Sequence, residues 1–201
     1  APLHGVRGGG ACGDGSNPTG PAVAVHMQIE VWSDVVCPWC FVGKRRLEGA
    51  LTDFAHRDDV EVVYRSFELD PSAPQHGHEL TSVSLTRKLG RSVEEVRAMQ
   101  QQLIDLGASE GLELRLHDNV HTNTVDAHRL LHLALDTGGP ALQRELAESL
   151  FAAYFTRAED VGDHAVLTAA AVDAGLDPER VAAVLASDEY AGAVASDVAQ
   201  A

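Results

Sequence analysis

Two apolar, β-branched runs that enclose one amphipathic stretch constrain this chain most. "QIEVWSDVV" (28–36) has few polar breaks, the pattern of a central strand buried on both faces. "VEVVYRSF" (60–67) reads as a second strand. Between them Phe41, Leu47, Leu51 and Phe54 recur at helical spacing through about residue 56. Pro38 falls in the first turn of that helix, where no N–H is needed. Strand, helix and strand in this order imply parallel pairing through a right-handed crossover. The expectation is a two-stranded parallel sheet with one edge of the 28–36 strand unpaired.

Beyond residue 71 the pattern is helical throughout. "ELDPSAPQHGHE" (68–79) is a polar connection broken by Pro and Gly. Ser92 and Glu95 have the spacing of a capping box ahead of Val93, Val96, Met99, Leu103 and Leu106, all expected on a buried face. "HTN" (121–123) can cap a helix that Gly138 ends, and Pro140 opens another with Leu142, Leu146, Leu150 and Phe151 inward. Asp163 caps a short helix closed by Gly175. Asp177-Pro178 starts one near 178–186. A last helix begins near Asp188, with Tyr190, Val194 and Val198 one turn apart.

The 201 residues are ordinary in hydrophobic (45%) and charged (22%) content, so a sizeable core is available. A formal charge of −15 argues against nucleic acid or an anionic membrane as the main partner, since both select clustered Lys and Arg. No apolar run approaches the roughly 20 residues of a bilayer span. Residues 1–26, rich in Gly, Pro and Ala, lack a hydrophobic period and the apolar core of a secretory signal, and read as a disordered leader. Met27 looks like the natural start, and the default location is the cytoplasm.

Three cysteines do not make a disulfide scaffold, and Cys12 lies in the leader. Cys37 and Cys40 stand at i and i+3 across the first turn of the first helix, between the two strands. At a helix N-terminus, unpaired N–H groups and the dipole favour a thiolate, with pKa values of roughly 3.5–7.5 in such places. Cys37 is thus the expected exposed nucleophile and Cys40 the more buried resolving thiol. Pro38 and Trp39 shape the loop, and Trp39 is placed to touch substrate. A zinc site is the sharper rival, but no second CxxC follows. Among the ten His, His76 and His78 sit in a loop and His128 and His132 lie one helical turn apart, so no metal is expected. A CxxC at a strand-to-helix junction in a βαβ unit favours redox chemistry. Asp34, three residues before Cys37, offers a carboxylate to shuttle the resolving thiol's proton; the plainer reading is a solvated strand-end residue or a helix cap. Trp32 is expected to pack in the core.

"SDVVCPWCFVGKRRLE" (33–48) resembles the DsbA-like thioredoxin family and, within it, the FrnE-type oxidoreductases. The likeness continues in "FELDP" (67–71), "HTNTVDAHRLLHLA" (121–134), "LFAAYFTRAEDVGD" (150–163) and "LTAAAVDAGLD" (167–177), and covers nearly everything from Met27 to Ala201. It implies an α/β, thioredoxin-like fold: a βαβ half over 27–71, a large all-helical insertion over 72–187, and the start of the returning helix over 188–201. It assigns attack to Cys37 and resolution to Cys40. In this family the last helix leads to a cis-proline loop, a β-hairpin and a closing helix, so the chain is expected to be a fragment lacking them. Kappa-class glutathione transferases and 2-hydroxychromene-2-carboxylate isomerases are similar in topology but have serine where Cys37 stands. "NTVDAHRL" (123–130) fits either group; Asn123 reads as a helix cap and His128 as a packed helix residue.

The resemblance implies a thiol–disulfide oxidoreductase acting on protein or small-molecule disulfides. Its cofactor is its own redox-active disulfide, and its partners are a disulfide substrate and a thiol reductant or oxidant. The alternatives are a glutathione-dependent isomerase or transferase, with glutathione as co-substrate, and a non-enzymatic module whose helices hold polypeptide.

Overall fold

The computed structural model describes residues 27–201, so the leader over 1–26 and Cys12 lie outside the described residues. Strand β1 (Met27–Ser33) pairs in parallel with β2 (Val60–Ser66), in register from Met27 opposite Val60 to Ser33 opposite Ser66. They form a two-stranded sheet. β1 stops three residues before the apolar run does, because the Cys37 N–H donates to the Asp34 carbonyl at 3.0 Å and turns the chain. β1 is not buried on both faces: Met27, Gln28 and Glu30 are exposed. The apolar run instead delivers Val35 into the core from the turn.

Helix α1 (Pro38–Thr52) crosses between the strands. It ends four residues short of the expected end. Phe54, expected inward, lies past the cap at 42% exposure, edge-on to the His56 ring. The buried face of α1 carries Phe41, Val42 and Lys44. Phe41 stacks on Phe151 at 4.9 Å between ring centres. A buried ammonium without partners would be strongly destabilising. Lys44 meets Glu48 at 2.7 Å and Glu148 at 2.5 Å, and Arg45 meets Glu148 at 2.6 Å.

Six helices follow: α2 (Thr81–Leu89), α3 (Val93–Ser109), α4 (Val125–Phe151), α5 (His164–Asp173), α6 (Pro178–Leu185) and α7 (Ala191–Gln200). Their ends follow local chemistry. Ser92 and Glu95 form the reciprocal capping box of α3, and Asp163 and Asp177 cap α5 and α6. α4 is broken at Gly139 (φ 68°, ψ −167°), a backbone state that glycine tolerates, and Pro140 restarts the helix. A single π turn, Ala152–Thr156, extends α4 and aims Tyr154 and Phe155 inward. α7 starts three residues later than expected, after Tyr190 in a left-handed conformation.

α2 has no counterpart in the periodicity reading. It turns Ser82 and Ser84 inward and leaves Val83 and Leu89 exposed, which inverts the usual pattern. Val93 and Met99, expected inward on α3, are likewise exposed, while Gln100 is buried.

One apolar cluster joins Val35, Phe41, Val42 and Tyr64 of the βαβ half to Leu130, Leu146, Phe151, Tyr154, Leu167 and Val181 of the helices. Polar side chains complete the outer edge of β2. Gln143 of α4 accepts from the Tyr64 N–H at 2.8 Å and donates to the Tyr64 carbonyl at 2.9 Å. Asp197 of α7 accepts from the Ser66 N–H at 2.9 Å. These groups would otherwise be buried without partners.

Candidate functional site

The site forms where β1 ends. Cys37 is the N-cap of α1, with Pro38 in the first turn; Cys40 and Phe41 donate their N–H groups back to the Cys37 carbonyl at 3.0 and 3.3 Å. Both cysteines are half-buried and not bonded to each other. Burial therefore does not separate an exposed nucleophile from a hidden partner, as the sequence reading expected. Trp39 is 59% exposed in the same turn.

The two thiols titrate as a unit. The hydrogen bond between the two sulfurs above all pulls Cys40 down to about 6, with help from the Ser33 hydroxyl and against burial. The same bond, followed by burial and by the neighbouring Cys40 charge, pushes Cys37 far above the usual thiol range. One proton thus leaves easily and the second is strongly held. The lowered first ionisation belongs to the pair as a whole.

Asp34 is 1% exposed, so it is not a solvated strand-end residue. Its Oδ2 accepts from the Leu69 N–H at 2.8 Å, tying the loop after β2 to the turn that carries the cysteines. Its charge disfavours ionisation of both thiols. On the other side stands His128 of α4, also 1% exposed, with Nε2 at 3.5 Å from Asp34 Oδ1. His132, one turn on, belongs to a different cluster with Ser66 and Asp197. Asn123 caps the start of α4, accepting from the Val125 N–H at 2.9 Å. Trp32 is half-buried and donates to the Asp197 carbonyl at 3.0 Å, so it ties β1 to α7.

A cavity of about 230 Å³ opens beside Pro38 and Asp34, walled by Leu85, Leu103, Leu116 and Phe155. Asp70, Lys88 and His121 line the same cavity. Lys88, the Ser72 hydroxyl and His121 hold the Asp70 carboxyl well below the usual range. Leu69 and Phe67, next to the Asp34 contact, are exposed apolar side chains. The sequence did not mark Leu69, Ser33 or the Asp34–His128 approach. The pairing of His128 with His132 at i, i+4 was its one visible signal.

These features define a CxxC turn of thioredoxin type under a helical roof, and comparison with known proteins agrees on the fold. The model of the DSBA-like thioredoxin domain matches residues 28–201, and the chain belongs to that family. Its members are oxidoreductases or isomerases that act on thiols and disulfides. The chain is 44% identical to the crystal structure of the probable DsbA oxidoreductase SCO1869 from Streptomyces coelicolor, with a TM-score of 0.81, over 87% of this chain and 74% of that one. It is 31% identical to the uncharacterized protein YwbO of Bacillus subtilis (strain 168), over 82% of this chain and 74% of the relative. A 2-hydroxychromene-2-carboxylate isomerase shares the fold at 12% identity and a TM-score of 0.63, over 87% of this chain and 78% of the other. No helix among the described residues is long and apolar enough to cross a membrane.

Proposed function

We propose that the protein is a thiol–disulfide oxidoreductase whose Cys37 exchanges with substrate disulfides and whose Cys40 resolves the product. The carrying observation is the mutually hydrogen-bonded thiol pair at the start of α1, above a fully buried Asp34. A thiolate exists at neutral pH because the pair's first proton leaves at about 6. Cys37, at the N-cap beside exposed Trp39, attacks a substrate sulfur. A Cys37–substrate disulfide forms, and the second substrate sulfur leaves as a thiolate. Cys40 then attacks Cys37, giving the Cys37–Cys40 disulfide and releasing the first substrate sulfur. Asp34 takes the Cys40 proton. The exposed Trp39, Phe67 and Leu69 and the adjoining cavity favour disulfides flanked by apolar groups.

The test is exchange with a disulfide-bonded peptide. Cys37→Ser should abolish it, and Cys40→Ala should trap the mixed disulfide. The thiolate absorbance of the unsubstituted pair should titrate with a midpoint of about 6. In Cys37→Ala the midpoint should move back toward about 8.5, the ordinary thiol value. Full turnover of Cys40→Ala with added glutathione would instead mark a glutathione-dependent isomerase, and no exchange by the intact pair would overturn the redox reading.

A further inference from the structure

Of the ionisable groups the reaction above leaves idle, His128 is the most deeply enclosed. Its side chain is 1% exposed, and neither ring nitrogen has a hydrogen-bond partner among the described residues. A buried polar group in that state is destabilising, so its presence calls for a reason. Its nearest polar neighbour is the equally buried Asp34 carboxylate, 3.5 Å from Nε2. Asp34 is already held on its other oxygen by the Leu69 N–H, and the Val36 N–H reaches Oδ1 only at 3.5 Å. Oδ1 is the under-served oxygen, and the imidazole stands against it.

The charged and titratable groups around the pair are few. Cys37 and Cys40 face Asp34 from α1. His132, on the next turn of α4, feels His128. Tyr154 feels Asp34 from the π turn. Among the described residues no Lys or Arg is seated on the carboxylate: Lys44 and Arg45 are taken up by Glu148, Arg65 by Glu30 and Arg129 by Asp126. His128 is the group placed to support its negative charge.

We propose that His128 is a positioning residue for the resolving step: it donates Nε2–H to Asp34 Oδ1 and keeps that carboxylate aimed as the proton acceptor of Cys40. The inference rests on the exchange chemistry proposed above. In the step it serves, the Cys40 proton passes to Asp34 and the Cys40 sulfur bonds to Cys37. The Cys37–substrate bond breaks, and its electron pair leaves on the substrate sulfur. The 3.5 Å separation shortens to hydrogen-bond length as the carboxylate is engaged. Without the imidazole, Oδ1 would keep only the distant Val36 N–H to hold its aim.

The experiment separates attack from resolution. His128→Leu should slow resolution by about tenfold or more at neutral pH, within the range a positioned proton acceptor commands. Formation of the mixed disulfide, measured in a Cys40→Ala background, should be unchanged. His128→Gln, which keeps an N–H donor near the same place, should restore resolution to within about threefold. In an Asp34→Asn background, His128→Leu should add no further loss. Equal slowing of attack and resolution, or unchanged resolution in folded His128→Leu, would overturn the proposal. A measurement without substitution stands beside these: nitrogen NMR of the intact protein should find the proton on Nε2 of His128, and a bare Nε2 would overturn the assignment. That tautomer is readable even if the protein exchanges no disulfide, so failure of the redox reading and failure of this one are distinguishable.

Discussion

His128 and His132 lie one turn apart on the same side of α4, and the fold treats them differently. His132 Nε2 lies 3.1 Å from Asp197 Oδ2 and 3.2 Å from the Ser66 hydroxyl, and its ring stacks on Tyr190. It belongs to a clamp in which α7 completes the outer edge of β2. The His128 ring has no hydrogen-bond partner among the described residues and faces the carboxylate under the cysteines. The clamp is saturated, as a cluster shaped for stability should be. The site instead keeps a buried imidazole unpaired among the described residues, beside a carboxylate and two neighbouring thiols, the kind of unsatisfied cluster that gathers at functional sites.

The largest stability effect should come from breaking the clamp. Asp197→Ala leaves the Ser66 N–H and His132 buried without their acceptor. It should lower unfolding free energy by about 3 kcal/mol, read as a shift in urea midpoint at constant slope. Thiol exchange should survive in the fraction that remains folded. Loss of exchange in proportion to stability would support the division between the two clusters, and a specific loss in folded protein would break it.

Acid should affect the two regions in sequence. Burial foremost depresses the His132 pKa, so the folded clamp resists the proton that the unfolded chain takes up near 6.5. Its contribution is present above that pH and falls away below it. Glu148 works in a lower window: burial opposes its charge, but Lys44 and Arg45 outweigh burial and hold its carboxyl below the ordinary range. The unfolded carboxyl titrates near about 4.3, so this support is lost as pH falls from there. Denaturation midpoints against pH should show the first decline below about 6.5, and His132→Gln should remove that first decline.

The smallest stability effect belongs to Trp39. It is exposed at the site, and Trp39→Ala should change stability by no more than about 0.5 kcal/mol. If it contacts substrate, KM for an apolar peptide disulfide should rise while exchange with a small disulfide stays constant. Equal rates for both would remove Trp39 from the docking face.

Much of the architecture was legible because its causes are local. Pro38 at the start of α1, the Ser92–Glu95 box, the caps at Asp163 and Asp177, and the Gly-Gly-Pro break in α4 are decided within a few residues. The errors fall where packing overrides periodicity. Phe54 sits at an inward spacing, but the helix ends before reaching it. α2 went unread because it buries serines and exposes Val83 and Leu89.

By itself the sequence determined the βαβ unit, the CPWC turn and the capped helix starts at Pro38, Ser92, Asp163 and Asp177, since these depend on chirality, caps and spacing. Tertiary structure alone decided which polar groups lost water and whom they met. Asp34 reads as a strand-end carboxylate until α4 brings His128 against it from 94 residues away and Leu69 closes over its other oxygen. Asp197 reads as a surface residue of the last helix until it becomes the acceptor for β2. Burial is a property of packed helices and strands together, and no short stretch of chain contains it.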